Sequence, residues 1–234
     1  MRTNMKEIEK EGVPANIEST IRLFKEEINP SSRKSGRLFD QDLNNKEQVF
    51  LDIGCGIGRH LLILRNNGIR HAFGFDIVPN MVEIARKEFN LRNLFVANAL
   101  RIPLSDSSVD RCFFYNAIEH CSAPEEALEE IHRILNKDGI LYVDIPNARS
   151  MGDRIFRWGG KILYGKTSHI QKFTRKRIES LVEKIGFGIQ ECKVTRGIFV
   201  DFPQVKKFTR LKRILKFLFD KEVNSWELKL AKKD

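Results

Sequence analysis

The chain is poor in cysteine, in tryptophan and in long apolar runs. Its 234 residues hold four Cys and two Trp. Cys55, Cys112, Cys121 and Cys192 lie apart and form no C-x-x-C pair. That excludes a recognisable metal site or disulfide framework and fits reduced thiols in a cytoplasmic protein. No apolar stretch approaches the ~20 residues needed to cross a bilayer. Residues 1–12 are charged and lack an apolar signal region, so secretion is not expected. Internal repeats and low-complexity segments are also missing. Acids are scarce in two places. Residues 149–177 carry nine Lys or Arg against one acid, Asp153, and residues 204–219 carry six against none. The formal net charge of +10 therefore resides in the C-terminal third, and the remainder is net acidic. Such a run is most often a solvated face. A peripheral anionic membrane surface or lipid-like substrate comes second, and tRNA third.

What is present centres on Val49-Phe50-Leu51-Asp52-Ile53-Gly54-Cys55-Gly56-Ile57-Gly58-Arg59-His60. Residues 49–53 read as a buried parallel strand, apolar but for Asp52. Gly54, Gly56 and Gly58 form a turn that a ligand can approach closely. A helix over residues 58–66 points its free N–H groups at that turn. Strand, turn and helix together make an anion or nucleoside site at the C-terminal edge of a sheet. A dinucleotide fingerprint would read G-x-G-x-x-G. Here the spacing is Asp52-x-Gly54-x-Gly56-x-Gly58, and the turn alone leaves a nicotinamide cofactor open. His71 to Asp76 reads as a second strand ending in an acid, placed to bind ribose hydroxyls or to start the helix over residues 79–89.

Four stretches in order resemble the class I S-adenosylmethionine (SAM)-dependent methyltransferases. These are the Asp52–Gly58 turn, Asp76, the run Asn98-Ala99-Leu100-Arg101-Ile102-Pro103 with Val109-Asp110, and Asn116 to His120 followed by Glu129 to Gly139. The resemblance covers residues 49–147 and is closest to the type 11 methyltransferases, including small-molecule and quinone-biosynthesis O-methyltransferases. It implies a Rossmann-like α/β fold with a seven-stranded, mostly parallel sheet and helices on both faces. It implies SAM as cofactor, held by Asp52, Gly54, Cys55, Gly56, Gly58, Asp76, Ile77, Asn98, Ala99, Leu100 and Asn116, with no metal. Asp52 would attract the cofactor's ammonium group. Asn98 stands where the family has Asp, and its side-chain oxygen is expected to accept the adenine amino group.

Elsewhere the expected elements are coarser. Ile17, Ile21, Phe24 and Ile28 have helical spacing. Ser122 with Glu125 reads as a capping box for a helix reaching Leu135. Residues 136–139 read as a turn, 140–146 as the fifth strand, 188–194 as the sixth and 226–231 as an antiparallel seventh. Residues 175–185 read as a helix, and residues 204–219 as a basic amphipathic one. The chain is organised as one domain over residues 1–234. Residues 1–45 form a helical cover, 46–147 the cofactor core, and 148–234 the substrate-recognition part and closing strands.

Methyl transfer to a hydroxyl needs a proton acceptor, for which His is suited near neutral pH. His120 is the first candidate and His169 the second, although His120 serves equally as a loop residue lining the pocket. His60, His71 and His132 read as surface or packing residues. The expected activity is methylation of a small-molecule acceptor on oxygen. The alternatives are tRNA methylation through the basic third and a non-catalytic binding protein with this fold.

Overall fold

The computed structural model describes residues 21, 37–150, 170–196 and 223–233. Seven strands form one sheet: β1 (Val49–Ile53), β2 (His71–Asp76), β3 (Leu94–Val96), β4 (Val109–Tyr115), β5 (Leu135–Pro146), β6 (Phe187–Arg196) and β7 (Val223–Lys232). The order is β3-β2-β1-β4-β5-β7-β6. All neighbours pair in parallel except β7, which runs antiparallel to both β5 and β6. From β1 the chain builds outward through β2 to β3, then returns to place β4 on the other side of β1. Parallel strands whose connections leave in opposite directions open a crevice at their C-terminal ends.

Alternation along the strands sorts the core into two layers. Phe50, Phe113, Tyr115 and Tyr142 pack with α1 (Arg59–Asn66), α2 (Pro79–Phe89) and the 3-10 segment Leu38–Asn44. Leu51, Ile53, Cys112, Phe114 and Leu141 pack on the opposite face with α3 (Pro124–Ile134) and α4 (Arg175–Ile185). Helix α4 starts where Thr174 accepts the N–H of Arg177, and it stops at Gly186 in the left-handed region. The seven-stranded, mostly parallel sheet read from the sequence is what forms.

Three local expectations differ. Helix α3 is capped by Ala123 with no side-chain bond, and Pro124 is its first residue. Proline is favoured at that position because its fixed φ suits a helix start and its missing N–H would be unsatisfied there anyway. Ser122 is thereby left outside the helix, and Glu125 pairs with Lys184 of α4. The residues 136–139 expected as a turn lie inside β5. Leu135 sits opposite Val109 and Ile140 opposite Arg111, so these four residues bulge across from Asp110. Asn136 donates to the Asp110 carboxylate and anchors the bulge. Strands β6 and β7 also extend beyond the expected spans. Of the N-terminal helix, only Ile21 is among the described residues; it is helical and packs on the Phe50 layer. The basic segment 204–219 and residues 151–169 lie outside them.

The centre of the Phe50 layer is aromatic. Phe113, with no solvent exposure, meets Phe39 at 4.5 Å between ring centroids, Phe50 at 5.7 Å and Tyr142 at 5.9 Å. Removing that ring leaves a cavity that the sheet cannot close. Phe113→Ala is therefore expected to cost about 3–5 kcal/mol in a urea-unfolding titration.

Candidate cofactor site

The turn after β1 is held from two sides. The N–H of Cys55 donates to the carbonyl of Phe75 at 2.9 Å, and the N–H of Gly58 to the carbonyl of Cys55 at 2.8 Å. Gly54 and Gly56 have φ of 69° and 52°, a region that side chains enter only under strain. A Cβ on Gly54 would stand 2.9 Å from that of Ala117, in the loop after β4. A Cβ on Gly56 would meet nothing within 4 Å. The first glycine lets two loops touch, and the second faces open space where a ligand can lie against the backbone.

Two acids flank this space. Asp76, at the end of β2, accepts the N–H of Gly56 through Oδ2 at 2.8 Å and the N–H of Val78 through Oδ1 at 2.9 Å. It thus fixes the glycine turn as well as its own loop. Burial lifts its pKa above the usual carboxylate value, the two N–H donors pull it back, and the charge on Asp52 adds to the rise. Asp52 is 1% exposed. Its Oδ2 is buried and has no hydrogen-bond partner among the described residues. An orphaned buried carboxylate oxygen costs free energy until a donor or cation reaches it.

The remaining expected residues lie around the same edge. Ile77 is an exposed apolar side chain next to Asp76, a suitable platform for a flat base. Asn98 is exposed, and its Oδ1 accepts the N–H of Leu100 at 3.0 Å. This side-chain turn commits one lone pair of the oxygen expected to receive an adenine amino group. Ala99 and Leu100 follow, both partly buried. Asn116, directly after β4, is left-handed with φ of 49°, and its N–H donates to the carbonyl of Asp144 at 3.2 Å. Cys55 is buried, and burial pushes its thiol well above the ordinary value, so it is no nucleophile. The structure thus brings together Asp52, Gly54, Cys55, Gly56, Gly58, Asp76 and Asn116, with Ile77 and residues 98–100 on the neighbouring loops.

His120 ends the short 3-10 turn Ile118–His120. Its side chain is 41% exposed, and Nε2 lies 4.0 Å from Oε1 of the buried Glu119. The carbonyl of Glu119 receives the N–H groups of Ile170 and Gln171, at 3.0 and 2.9 Å. The chain entering α4 is therefore tied to this loop. His169 lies outside the described residues.

Sequence reasoning missed a polar band on the Phe50 face. Tyr115, Asp144 and Glu227 are neighbours in register on β4, β5 and β7, and all are buried. Glu227 Oε1 accepts the Tyr115 hydroxyl at 2.6 Å and the N–H of Leu38 at 2.8 Å. Arg37 Nη1 meets Asp144 Oδ2 at 2.6 Å, and its guanidinium lies 5.1 Å from the Tyr115 ring centroid. Burial works against the Arg37 charge, but Asp144 outweighs it and raises the pKa. Burial, reinforced by Glu227, keeps Tyr115 protonated. Arg37 and Asp144 are 107 positions apart, so no local pattern announces their contact. His60, read as a surface or packing residue, belongs to the site as well: Nδ1 is 3.5 Å from Asp52 Oδ1.

Comparison with known proteins agrees with this geometry. Residues 51–143 match the family described as a methyltransferase domain. An uncharacterised protein of Methanocaldococcus jannaschii is 32% identical over 176 residues, covering 73% of this chain and 64% of that protein. Malonyl-[acyl-carrier protein] O-methyltransferase of Serratia marcescens is 26% identical over 122 residues, 52% of this chain and 48% of that enzyme. The chain spans between about half and two thirds of the length of these two relatives. Among solved structures, the methyltransferase in the Haloferax volcanii complex with the Trm112 methyltransferase activator aligns with a TM-score of 0.70 at 19% identity. That alignment covers 93% of this chain and 96% of the other. A SAM-dependent methyltransferase of Thermotoga maritima, described as a possible histamine N-methyltransferase, gives 0.61 at 24% identity with the same coverage. Residues 51–143 are therefore a methyltransferase domain, set in the Rossmann-like fold of solved SAM-dependent methyltransferases and built around the crevice between β1 and β4.

Proposed function

We propose that this chain transfers a methyl group from SAM to an oxygen of a small-molecule acceptor. The observation that carries the cofactor assignment is the buried Oδ2 of Asp52, without a partner among the described residues, on the same turn as the open face of Gly56. SAM has an ammonium group for the first and a narrow amino-acid tail for the second. Asp76 takes the ribose hydroxyls on the lone pairs that Gly56 and Val78 leave over. Ile77 and the loop Asn98-Ala99-Leu100 flank the base, while Cys55, Gly54, Gly58 and Asn116 line the tail. When bound, SAM supplies a methyl group made electrophilic by its sulfonium. The protein aligns the acceptor for in-line displacement and excludes competing water. His120 receives the hydroxyl proton, with His169 as second candidate.

The acceptor oxygen is supported by the malonyl-[acyl-carrier protein] O-methyltransferases among the relatives. The chain acts as one domain, in which residues 1–45 cover the core of 46–147 and residues 148–234 recognise the acceptor. Its place is cytoplasmic, with the basic C-terminal third available to a membrane surface or lipid-like acceptor. Among the described residues no helix is long and apolar enough to cross a membrane. One observation favours a second reading, tRNA methylation. The fold aligns with a methyltransferase solved with the Trm112 activator, and the Lys- and Arg-rich segments 149–177 and 204–219 suit a phosphate backbone.

Titration calorimetry with SAM and, separately, with NAD tests the cofactor. SAM alone should bind, and no SAM binding would end this reading. An acceptor screen of phenols, quinol precursors and bulk tRNA then separates the two substrates. On the accepted substrate, His120→Ala should lower kcat by about 10²-fold or more with SAM affinity unchanged.

Two further outcomes follow from the acids and their neighbour. Hydroxyls donate better to an ionised carboxylate, and the Asp76 pKa is raised in the free protein. SAM affinity should therefore weaken as pH falls from 7 towards about 4, in calorimetry over that range. The apo fold should respond oppositely at this residue. A folded pKa above the unfolded one stabilises below the unfolded value, and that contribution is lost as pH rises through the folded value. Asn98→Asp supplies a second acceptor oxygen and a charge while keeping the bond to Leu100. It should tighten SAM about tenfold, the worth of one charge-assisted hydrogen bond.

A further inference from the structure

His60 is the one basic side chain within ion-pair distance of Asp52 among the described residues. It is the second residue of α1, and its side chain is 15% exposed. Three aromatic rings enclose the imidazole. Tyr115 lies at 4.7 Å between centroids, Phe113 at 5.7 Å, and Phe39 meets it edge-on at 5.9 Å and 89°. Tyr115 is itself fixed by its bond to Glu227, which also accepts the N–H of Leu38. Phe39 and Leu38 belong to the 3-10 segment that lies over this face. The ring therefore has little rotational freedom, and its freedom is set by the segment above it.

Packing explains the ring but not the pairing. A buried histidine with only a packing role would need its nitrogens satisfied by backbone or water. Here Nδ1 stands 3.5 Å from Asp52 Oδ1, within ion-pair distance but longer than a hydrogen bond. Oδ2 of the same carboxylate is left buried without a partner among the described residues. Asp52 also lies close enough to Asp76 to raise its pKa, so two acids share this edge. A single-point contact to one oxygen fixes the carboxylate's rotation and leaves the other oxygen free for a cation. Such contacts commonly tighten when the ligand arrives.

We infer that His60 is a positioning residue for the cofactor's amino-acid tail: held by Phe39, Phe113 and Tyr115, it grips Asp52 Oδ1 and presents Oδ2 to the ammonium group. The inference rests on the SAM reading above. It links the segment Leu38–Asn44 to the cofactor turn, because Phe39 forms one wall of the ring's enclosure. His60 does not touch the methyl group or the acceptor. Its effect passes through Asp52 and is confined to ligands that carry the ammonium.

Two ligands and two substitutions test this by calorimetry on the full chain. S-adenosylhomocysteine carries the ammonium, whereas 5′-methylthioadenosine keeps base and ribose but lacks the amino-acid tail. His60→Phe keeps an aromatic ring in the enclosure and removes the donor. His60→Asn restores a nitrogen donor near the Nδ1 position with little added strain. His60→Phe should weaken S-adenosylhomocysteine about tenfold, one charged hydrogen bond's worth, and leave methylthioadenosine within about twofold. His60→Asn should recover most of the loss. Equal weakening of both ligands would reduce His60 to packing, and unchanged affinity for both would remove it from the site. A loss that His60→Asn does not recover would also overturn the role, provided thermal melts show both variants folded. If His60→Phe fails to fold, His60→Leu, which likewise lacks the donor, takes its place, and the same outcomes decide. Wild-type protein that binds neither ligand would overturn the SAM reading itself. Wild-type binding with an insensitive His60 would overturn only this inference.

Discussion

A carboxylate buried at the end of a parallel strand is the constraint on which this structure turns. Asp52 interrupts an apolar strand and is 1% exposed, yet one of its oxygens has no partner among the described residues. Leaving a charge in that state is costly, and a structure tolerates it where a ligand or a neighbour compensates. The rest of the edge is arranged around it. Asp76 ties the glycine turn in place, Gly56 leaves space in front, and Ala117 closes against Gly54 from the loop after β4. The crevice exists because the chain reverses its direction of growth at β1. There two strand ends lack a connection passing over them.

The polar band on the Phe50 face does different work. Asp144 and Glu227 oppose one another on antiparallel strands. Like charges in that arrangement repel unless something sits between or beside them. Arg37, the Leu38 N–H and the Tyr115 hydroxyl supply those partners. The segment Leu38–Asn44 is thereby held to β5 and β7 by charge and hydrogen bonds, and to β4 by the ring of Phe39. Its seat depends on a sheet that must already be assembled. The same segment walls the site of His60, so cover and cofactor turn share one set of contacts.

Much of this was legible in the chain. The resemblance of four stretches to a known family implied the α/β sheet, and β2 runs over the His71–Asp76 span read from the sequence. Local rules succeed where the physics is local, as with glycines that need positive φ or the helix over residues 175–185. They fail where a neighbour in sequence competes. Ser122 has the chemistry of a cap, but Pro124 takes the first helical position and displaces it. Asn136-Lys137-Asp138-Gly139 has turn chemistry, but the strand on each side continues, and the residues become a bulge facing Asp110.

By itself the sequence determined most of the elements, because each is encoded within a few residues by periodicity and glycine, while the parallel sheet and the identity of the turn followed from the resemblance of four stretches taken together. Tertiary structure alone decided which side chains share a site. Arg37 meets Asp144, Leu38 meets Glu227, and His60 lies within a ring enclosure built from two other segments. Those pairings join residues far apart in the chain, and their energies arise from burial that no single segment possesses before the sheet closes.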